Sequence, residues 1–348
     1  MFDDAKFPIP PVDDRLIYDL TCSNVIAPVI TVSQEIQLFS ILDARPQTIE
    51  EVADNLNILP TVSETLIAVL AAFGLLARQR DGCFSLTELA TTYMLPESPF
   101  FYTGLCPEQD WNLKFLRIKV RSGNADPPAP LNVQMFQHPL SLVESYTRRM
   151  QMGTLPAAAQ LANHPVFRLR SQLLDIGGGS GSLAIAIAAC NPNIRCTIMD
   201  LDPVCSIATN NIEKYGLQNR VNFLAQDMFA DTWPTGYDSI LFGNIFHGWD
   251  LETCYLLAQC AFNSLKPGGK ILLHEMPLNE TKDGPLTVAC VSVIMLMHER
   301  GKQYTLKELE QILHKAGFVN FHSTPTHVYH HLIIATKPDP SARSVSSP

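Results

Sequence analysis

The nine cysteines include no CxxC pair, and an odd, scattered count suits a reducing cytoplasm better than a disulfide framework. No apolar run approaches the roughly 20 residues needed to span a bilayer. The start, Met1-Phe2-Asp3-Asp4-Ala5-Lys6, is acidic, and no signal-peptide apolar stretch follows it. Excess positive charge is also missing: 25 Lys and Arg stand against 34 Asp and Glu, a formal net charge of −9. Such a chain is a poor match for phosphate backbones or anionic membranes, so neither nucleic acid nor a membrane is an expected partner. What remains is 46% hydrophobic and 17% charged residues over 348 positions. That is a globular composition, long enough for two domains.

The chain changes character twice. Residues 1–105 read as short helices followed by a hairpin, with apolar positions at helical spacing in 32–42 and 63–73. Between them, Thr48-Ile49-Glu50-Glu51 has the form of a capping box. Gly74 closes the third helix; strand, Asp81-Gly82 turn and strand follow over 75–86, making a winged helix. Its candidate recognition helix, 61–73, holds no Lys or Arg, and its apolar residues occupy more than one face. Packing or dimerisation is therefore expected of this domain, not DNA binding. Residues 106–170 form a helical link broken by Pro127, Pro128 and Pro130, with a second helix over 140–161 that carries Met150 and Met152. From 171 to 338, apolar strands (172–176, 195–200, 221–225, 239–246 and 270–275) alternate with helices, one after each of the first four strands. The expectation is an α/β, Rossmann-like, mainly parallel sheet domain covered on both faces. Residues 339–348, rich in Ser and Pro, read as a disordered tail.

The first of these strands ends at Asp175 and runs into Gly177-Gly178-Gly179-Ser180-Gly181. Glycine permits unusual backbone angles there and lets a ligand lie against the chain. A dinucleotide loop is the rival, but Ser182 stands where GxGxxG would need glycine. Asp175 would also point a carboxylate at a pyrophosphate, whereas near a sulfonium and an amino group it is an asset. This favours S-adenosylmethionine (SAM). Asp200 ends the second strand, placed for ribose hydroxyls, and Asp227 with Met228 follows the third, placed for an adenine.

The runs LLDIGGGSG (173–181), QDMF (226–229), NIFHGWD (244–250), LKPGGKILLHE (265–275) and YTLKELEQILHKAGF (304–318), in this order, cover most of the C-terminal part. On them the chain resembles the two-domain small-molecule O-methyltransferases, such as plant caffeate and hydroxyindole enzymes and bacterial polyketide-tailoring enzymes. The resemblance implies that Gly177 and Gly179 lie against the methionine part of SAM, that Asp200 binds the ribose, that Asp227 and Met228 contact the adenine, and that Trp249 lines the adenosine site. It implies a homodimer formed through the N-terminal domain. His247 matches the family's general base, oriented by Glu275 and, at the second acidic position, by Gln303. Three positions depart from the pattern: Gly243 replaces a cofactor-touching lysine, Gly248 an aspartate and Gln303 an acid.

A neutral histidine can take a phenol's proton as the oxygen attacks the sulfonium methyl, an attack the enzyme chiefly aligns. The acceptor is expected to be a small molecule, an aromatic metabolite held by Met150, Met152, Phe246, Met295 and His298, with Phe115 and Phe136 as further ring contacts. Two alternatives stand beside O-methylation. Some relatives methylate carbon in α-keto acids with bound iron, for which His298 and Glu275 or Glu299 would join His247. The other is a SAM-binding protein that steers a reaction without methyl transfer. No metal site is the leading expectation, and His327, His330 and His331 read as surface or core histidines.

Overall fold

The computed structural model describes residues 7–122, 140–169 and 171–340. Pro127, Pro128, Pro130 and Phe136, and nearly all of the 339–348 tail, lie outside the described residues. The N-terminal part holds α1 (Arg15–Cys22), α2 (Ile26–Glu35), α3 (Leu38–Ala44), α4 (Ile49–Leu56) and α5 (Pro60–Ala72). The wing, β1 (Leu76–Arg78) paired antiparallel with β2 (Phe84–Leu86), and α6 (Glu88–Tyr93) complete it. Thr48 and Glu51 cap α4 reciprocally, as their spacing predicts. The helix expected over 32–42 is in fact two: Gln37 takes a left-handed φ of 61° and turns the chain between α2 and α3. Periodicity could not show this, because both pieces keep their apolar faces toward one core.

In α5, residues 62–70 are all buried. A helix enclosed on every side has no face for a DNA groove, and each fully buried Val, Leu or Ile contributes about 1.5–3 kcal/mol. The composition reading of the N-terminus needs one correction. The helical run Arg15–Glu35 is long and apolar enough, by composition alone, to cross a bilayer. Val25, Val29, Ile30 and Val32 of this run are packed into the N-terminal core, whereas Leu16, Ile17 and Leu20 are exposed.

Helices α7 (Trp111–Arg121) and α8 (Leu140–Leu161) lead to a seven-stranded sheet. In chain order its elements are β3 (Gln172–Ile176), α9 (Ser182–Cys190), β4 (Arg195–Asp200), α10 (Cys205–Lys214), β5 (Val221–Ala225), β6 (Tyr237–Gly243), α11 (Leu251–Ser264), β7 (Leu265–Glu275), α12 (Leu286–His298), α13 (Leu306–Lys315), β8 (Val319–His327) and β9 (His330–Thr336). The spatial order is β5-β4-β3-β6-β7-β9-β8, parallel from β5 to β7 and antiparallel at β9 and β8.

Two strand readings and one helix reading change. The fourth strand ends at Gly243, not 246, because Asn244 adopts φ 55° and a tight turn follows over Phe246–Gly248. The fifth begins at Leu265. No helix follows β5, where Pro234 and Gly236 interrupt a short connection. Helix α12 is also placed unexpectedly: Val288, Ala289 and Val293 belong to the same core as α5, so the two domains share one apolar interior.

Candidate active site

The chain winds outward from β3 through β4 to β5, then returns to β6 on the other side of β3. Ligands bind in the crevice that opens at the carboxyl ends of strands at such a reversal. Ile176, Asp200, Gly243 and Glu275 end their strands there. Gly177 and Gly179 take left-handed φ values of 63° and 55°, which side-chain-bearing residues rarely adopt. A Cβ on Gly177 would lie 2.6 Å from Ile245 Cδ1, whereas one on Gly179 would meet nothing within 4 Å. The loop is thus pinned on one side and open above Gly179.

Asp175 sits beneath this loop, fully buried. A Cβ on Gly178 would come within 2.7 Å of its Oδ2, so the loop closes over the carboxyl with no room for a side chain. Burial, then the nearby Asp200 charge, pushes the Asp175 carboxyl up to about 8. Asp200 Oδ2 accepts the Gly179 N–H at 2.7 Å and Oδ1 the Leu201 N–H at 2.7 Å. Burial raises its pKa also, offset in part by those two bonds. Asp175 is thus held neutral beneath the loop, and Asp200 is the acid at the loop's edge.

On the β5 side, Asp227 Oδ1 accepts the Phe229 N–H at 2.8 Å, and the Met228 carbonyl accepts the Trp233 indole N–H at 2.9 Å. Trp249 is nearly buried, with the Phe229 ring edge-on at 4.7 Å. Phe229 itself is 41% exposed. It is absent from the sequence-derived set, and its adjacency to Met228 was the available signal. At position 243, a Cβ would fall 2.2 Å from Leu183 Cδ1. A lysine there would require Leu183 to move.

His247 stands in the turn Phe246–Gly248. Glu275 Oε1 accepts the Ile245 and Phe246 N–H groups at 2.9 and 2.8 Å. Its Oε2, buried and without a hydrogen-bond partner, lies 3.5 Å from His247 Nδ1. The Gln303 amide group lies 2.8 Å from the same nitrogen. Burial lowers His247 to about 4, with the Gln303 amide pulling the other way. Burial pushes Glu275 up to about 8 against its backbone hydrogen bonds. Both groups are thus favoured in their uncharged forms.

Gly301 was not foreseen. A Cβ there would lie 2.2 Å from the His247 carbonyl oxygen and 2.6 and 2.7 Å from Trp249 N and O. No pattern in the sequence signals a backbone contact of this kind.

An O-methyltransferase domain matches residues 144–319, and an O-methyltransferase dimerisation domain matches residues 18–96. The chain belongs to the O-methyltransferase family. It is 29% identical over 309 residues to a 3-hydroxy-5-methyl-1-naphthoate 3-O-methyltransferase of Streptomyces sahachiroi, covering 87% of this chain and 88% of that one. It is 35% identical over 176 residues to an L-tyrosine C(3)-methyltransferase of Streptomyces lavendulae, covering 48% and 47%. Its fold is similar to that of an O-methyltransferase family 2 protein from Planctomyces limnophilus, solved in complex with apigenin. The TM-score is 0.84 at 27% identity, over 95% and 98% of the two chains. Other solved structures of this fold hold SAM. This methyltransferase is SAM-dependent and of the natural-product type, and the strand ends fit a nucleoside: Asp200 stands at the edge of a glycine loop left open above Gly179.

The residues expected on the acceptor side are more dispersed. His298, the last residue of α12, packs its ring edge-on to Phe115 at 5.4 Å. Burial, then the charges of Lys119 and Arg149, lowers its pKa. Met295 is half-buried on α12 against the N-terminal core. Phe246 is fully buried with its ring against Phe242 at 5.1 Å, so it supports the turn from below. Met150 is 45% and Met152 68% exposed. Two positions apart on a helix, they point to different faces and do not form one clamp within a single chain.

Tyr146, absent from the sequence-derived set, lies on α8 where burial first, then the charges of Glu299 and Asp200, pushes its hydroxyl up to about 12. Among the described residues, no group of three His, Cys, Asp or Glu is arranged to hold a metal. His330 stacks on His274 at 4.8 Å, His327 pairs with Asp14 at 2.7 Å, and His331 meets Ser323 at 3.0 Å. Each has its own polar or ring partner.

Proposed function

We propose that this enzyme transfers the SAM methyl group to a hydroxyl of a small aromatic metabolite, with His247 as general base. The observation that carries the reading is the convergence of Glu275 and the Gln303 amide on one nitrogen of His247 at the strand ends. SAM, when bound, supplies a methyl group activated by a cationic sulfur. The chain's own task is to place an acceptor oxygen in line with it and to remove the proton.

His247, lowered to about 4 by burial, is neutral across the physiological range. Its Nδ1–H tautomer leaves Nε2 free to accept, and needs an acceptor at Nδ1. Glu275 Oε2, or the Gln303 amide oxygen after a turn of the side chain, supplies it. The imidazolium that forms as the proton arrives favours the ionised form of Glu275. The Gln303 amide adds orientation without charge.

An aromatic acceptor is supported by the naphthoate named for the 29%-identical relative and the flavone held by the similar structure. The relative named as a tyrosine C(3)-methyltransferase favours a second reading, transfer to a ring carbon next to a phenol. The same base would ionise that phenol. Incubation with SAM and panels of phenols, aromatic acids and α-keto acids, followed by S-adenosylhomocysteine release and product analysis, separates the two. Release from no panel despite SAM binding would leave only the cofactor-binding reading. His247→Ala is expected to keep SAM affinity and lose most turnover. Unchanged turnover would show that alignment suffices.

The residue ranges 1–105, 106–170 and 171–338 are proposed as dimerisation domain, substrate wall and catalytic domain. Dimerisation is supported by apolar side chains left exposed on α1 (Leu16, Ile17 and Leu20) and by an apolar groove of about 420 Å³ lined by Ile26, Phe73, Leu89 and Tyr93. Sedimentation at twice the 38.6 kDa chain mass checks it. Nine free cysteines support a reducing, cytoplasmic location.

A further inference from the structure

Residues 300–305 form a strap across the catalytic turn, and nearly every one of them has a defined anchor. Arg300 donates its N–H to the Gly248 carbonyl at 3.1 Å. Gly301 lies flat on the His247 and Trp249 backbone. Gln303 donates its N–H to Ser292 Oγ at 2.8 Å, and the Tyr304 hydroxyl donates to the Trp249 carbonyl at 2.6 Å. Thr305 caps α13 with Glu308. The anchor of Lys302 is different in kind because it crosses domains. Its Nζ meets Glu64 Oε1 of α5 at 2.5 Å and Glu308 Oε1 at 2.8 Å. Lys282 holds the same two carboxylates at 2.6 and 3.0 Å from outside the strap. Lys302 is only 8% exposed and Glu64 9%.

A buried ammonium must stay with its carboxylates, because leaving them strands a charge in a dry interior. The residue that follows it, Gln303, is therefore fixed in place. We propose that Lys302 is a positioning residue: clamped between Glu64 of the dimerisation domain and Glu308, it holds Gln303 against His247 and keeps water from the base. This rests on the reading of the His247 turn as the site of chemistry. It makes α5, the helix a DNA-binding winged helix would use for recognition, a support for the active site.

The groups facing His247 are Glu275 from β7, Gln303 from the strap and His330 from β9. Loosening the strap loses the Gln303 contact, which had raised the His247 pKa, and admits water, which relieves the burial that lowers it; burial is the larger cause, so the net change is upward. The His247 imidazole should then titrate closer to its ordinary value, about one pH unit higher or more. Turnover should fall by roughly 10–100-fold, through kcat more than KM, since alignment and not acceptor binding is disturbed.

The test uses full-length protein with carbon-13-labelled histidine, and the His247 resonance is assigned by its loss in His247→Ala. Lys302→Met is expected to raise the His247 titration midpoint and lower kcat. Lys282→Met removes the same number of ion pairs outside the strap. It should lower Tm comparably, yet leave the midpoint in place and kcat within about twofold. Glu64→Gln, a milder change that keeps the side-chain shape, should raise the midpoint by less, and it decides the matter if Lys302→Met does not fold. An unmoved midpoint in Lys302→Met or Glu64→Gln overturns the proposal, as does an equal rise in Lys282→Met. The midpoint is read without turnover. If His247→Ala keeps full activity while Lys302→Met moves the midpoint, the base assignment falls and the clamp stands.

Discussion

Gly301→Ala isolates the closest backbone contact in the candidate site. The added methyl would sit 2.2 Å from the His247 carbonyl oxygen and under 3 Å from Trp249 N and O. Ordinary contact lies at about 3.5 Å, so the strap and the turn must part by roughly 1 Å. All three obstructing atoms are backbone, and none can rotate away. Overpacking of this kind costs about 1–3 kcal/mol of stability, which calorimetric melting will read. A misplacement near 1 Å in a reacting group costs about 100-fold in rate, so kcat should fall by roughly that factor. SAM affinity should weaken less, through Trp249 alone. Gly248→Ala is the matched control, since a Cβ there meets nothing within 4 Å and kcat should stay within about threefold. Turnover is followed by S-adenosylhomocysteine release with an accepted phenol. The reasoning fails if Gly301→Ala turns over within threefold of the parent, or if Gly248→Ala is as damaging.

Asp200→Ala removes the acceptor of the Gly179 and Leu201 N–H groups. Charged hydrogen bonds contribute about 1.5–3 kcal/mol each, so titration calorimetry should show SAM binding weakened by at least tenfold, and an unchanged Kd would refute the loop assignment. The stability of the ligand-free protein should fall on both sides of mildly acidic pH. His247 and His274 are lowered to about 4 and about 3 by burial, so below their ordinary 6.5 the unfolded chain takes up protons that the folded chain refuses. Asp175 and Glu275 are raised to about 8; the folded chain keeps protons there that the unfolded chain has released, and stability declines as pH rises toward 8. Tm measured from pH 5 to 9 should pass through a maximum, and a steady rise to pH 9 would contradict these assignments.

Much of the catalytic domain was legible because buried parallel strands announce themselves locally. The bounds of β3, β4 and β5 follow from short apolar runs ended by Asp175-Ile176, Asp200 and Ala225. The Thr48–Glu51 cap is likewise a contact within four residues. The glycine loop needed only its own residues and the flanking acids to indicate a cationic nucleoside. Where a fold decision depended on distant partners, local pattern failed. Gln37 splits a helix because both halves turn to the same core. Phe246 faces Phe242 rather than an acceptor because the strand stops at Gly243.

The sequence alone therefore indicated the cofactor class and the sheet's parallel half, since both rest on neighbours in the chain, while His247 as base candidate came from the resemblance. Only the tertiary structure decided how His247 is held. Glu275, Gln303 and Gly301 reach His247 from 28, 56 and 54 residues away. The ion pair that fixes Gln303 comes from Glu64, in the other domain. Such contacts are set by how α5, α12 and the strap pack around one shared apolar core, and packing of that reach leaves no periodicity to read.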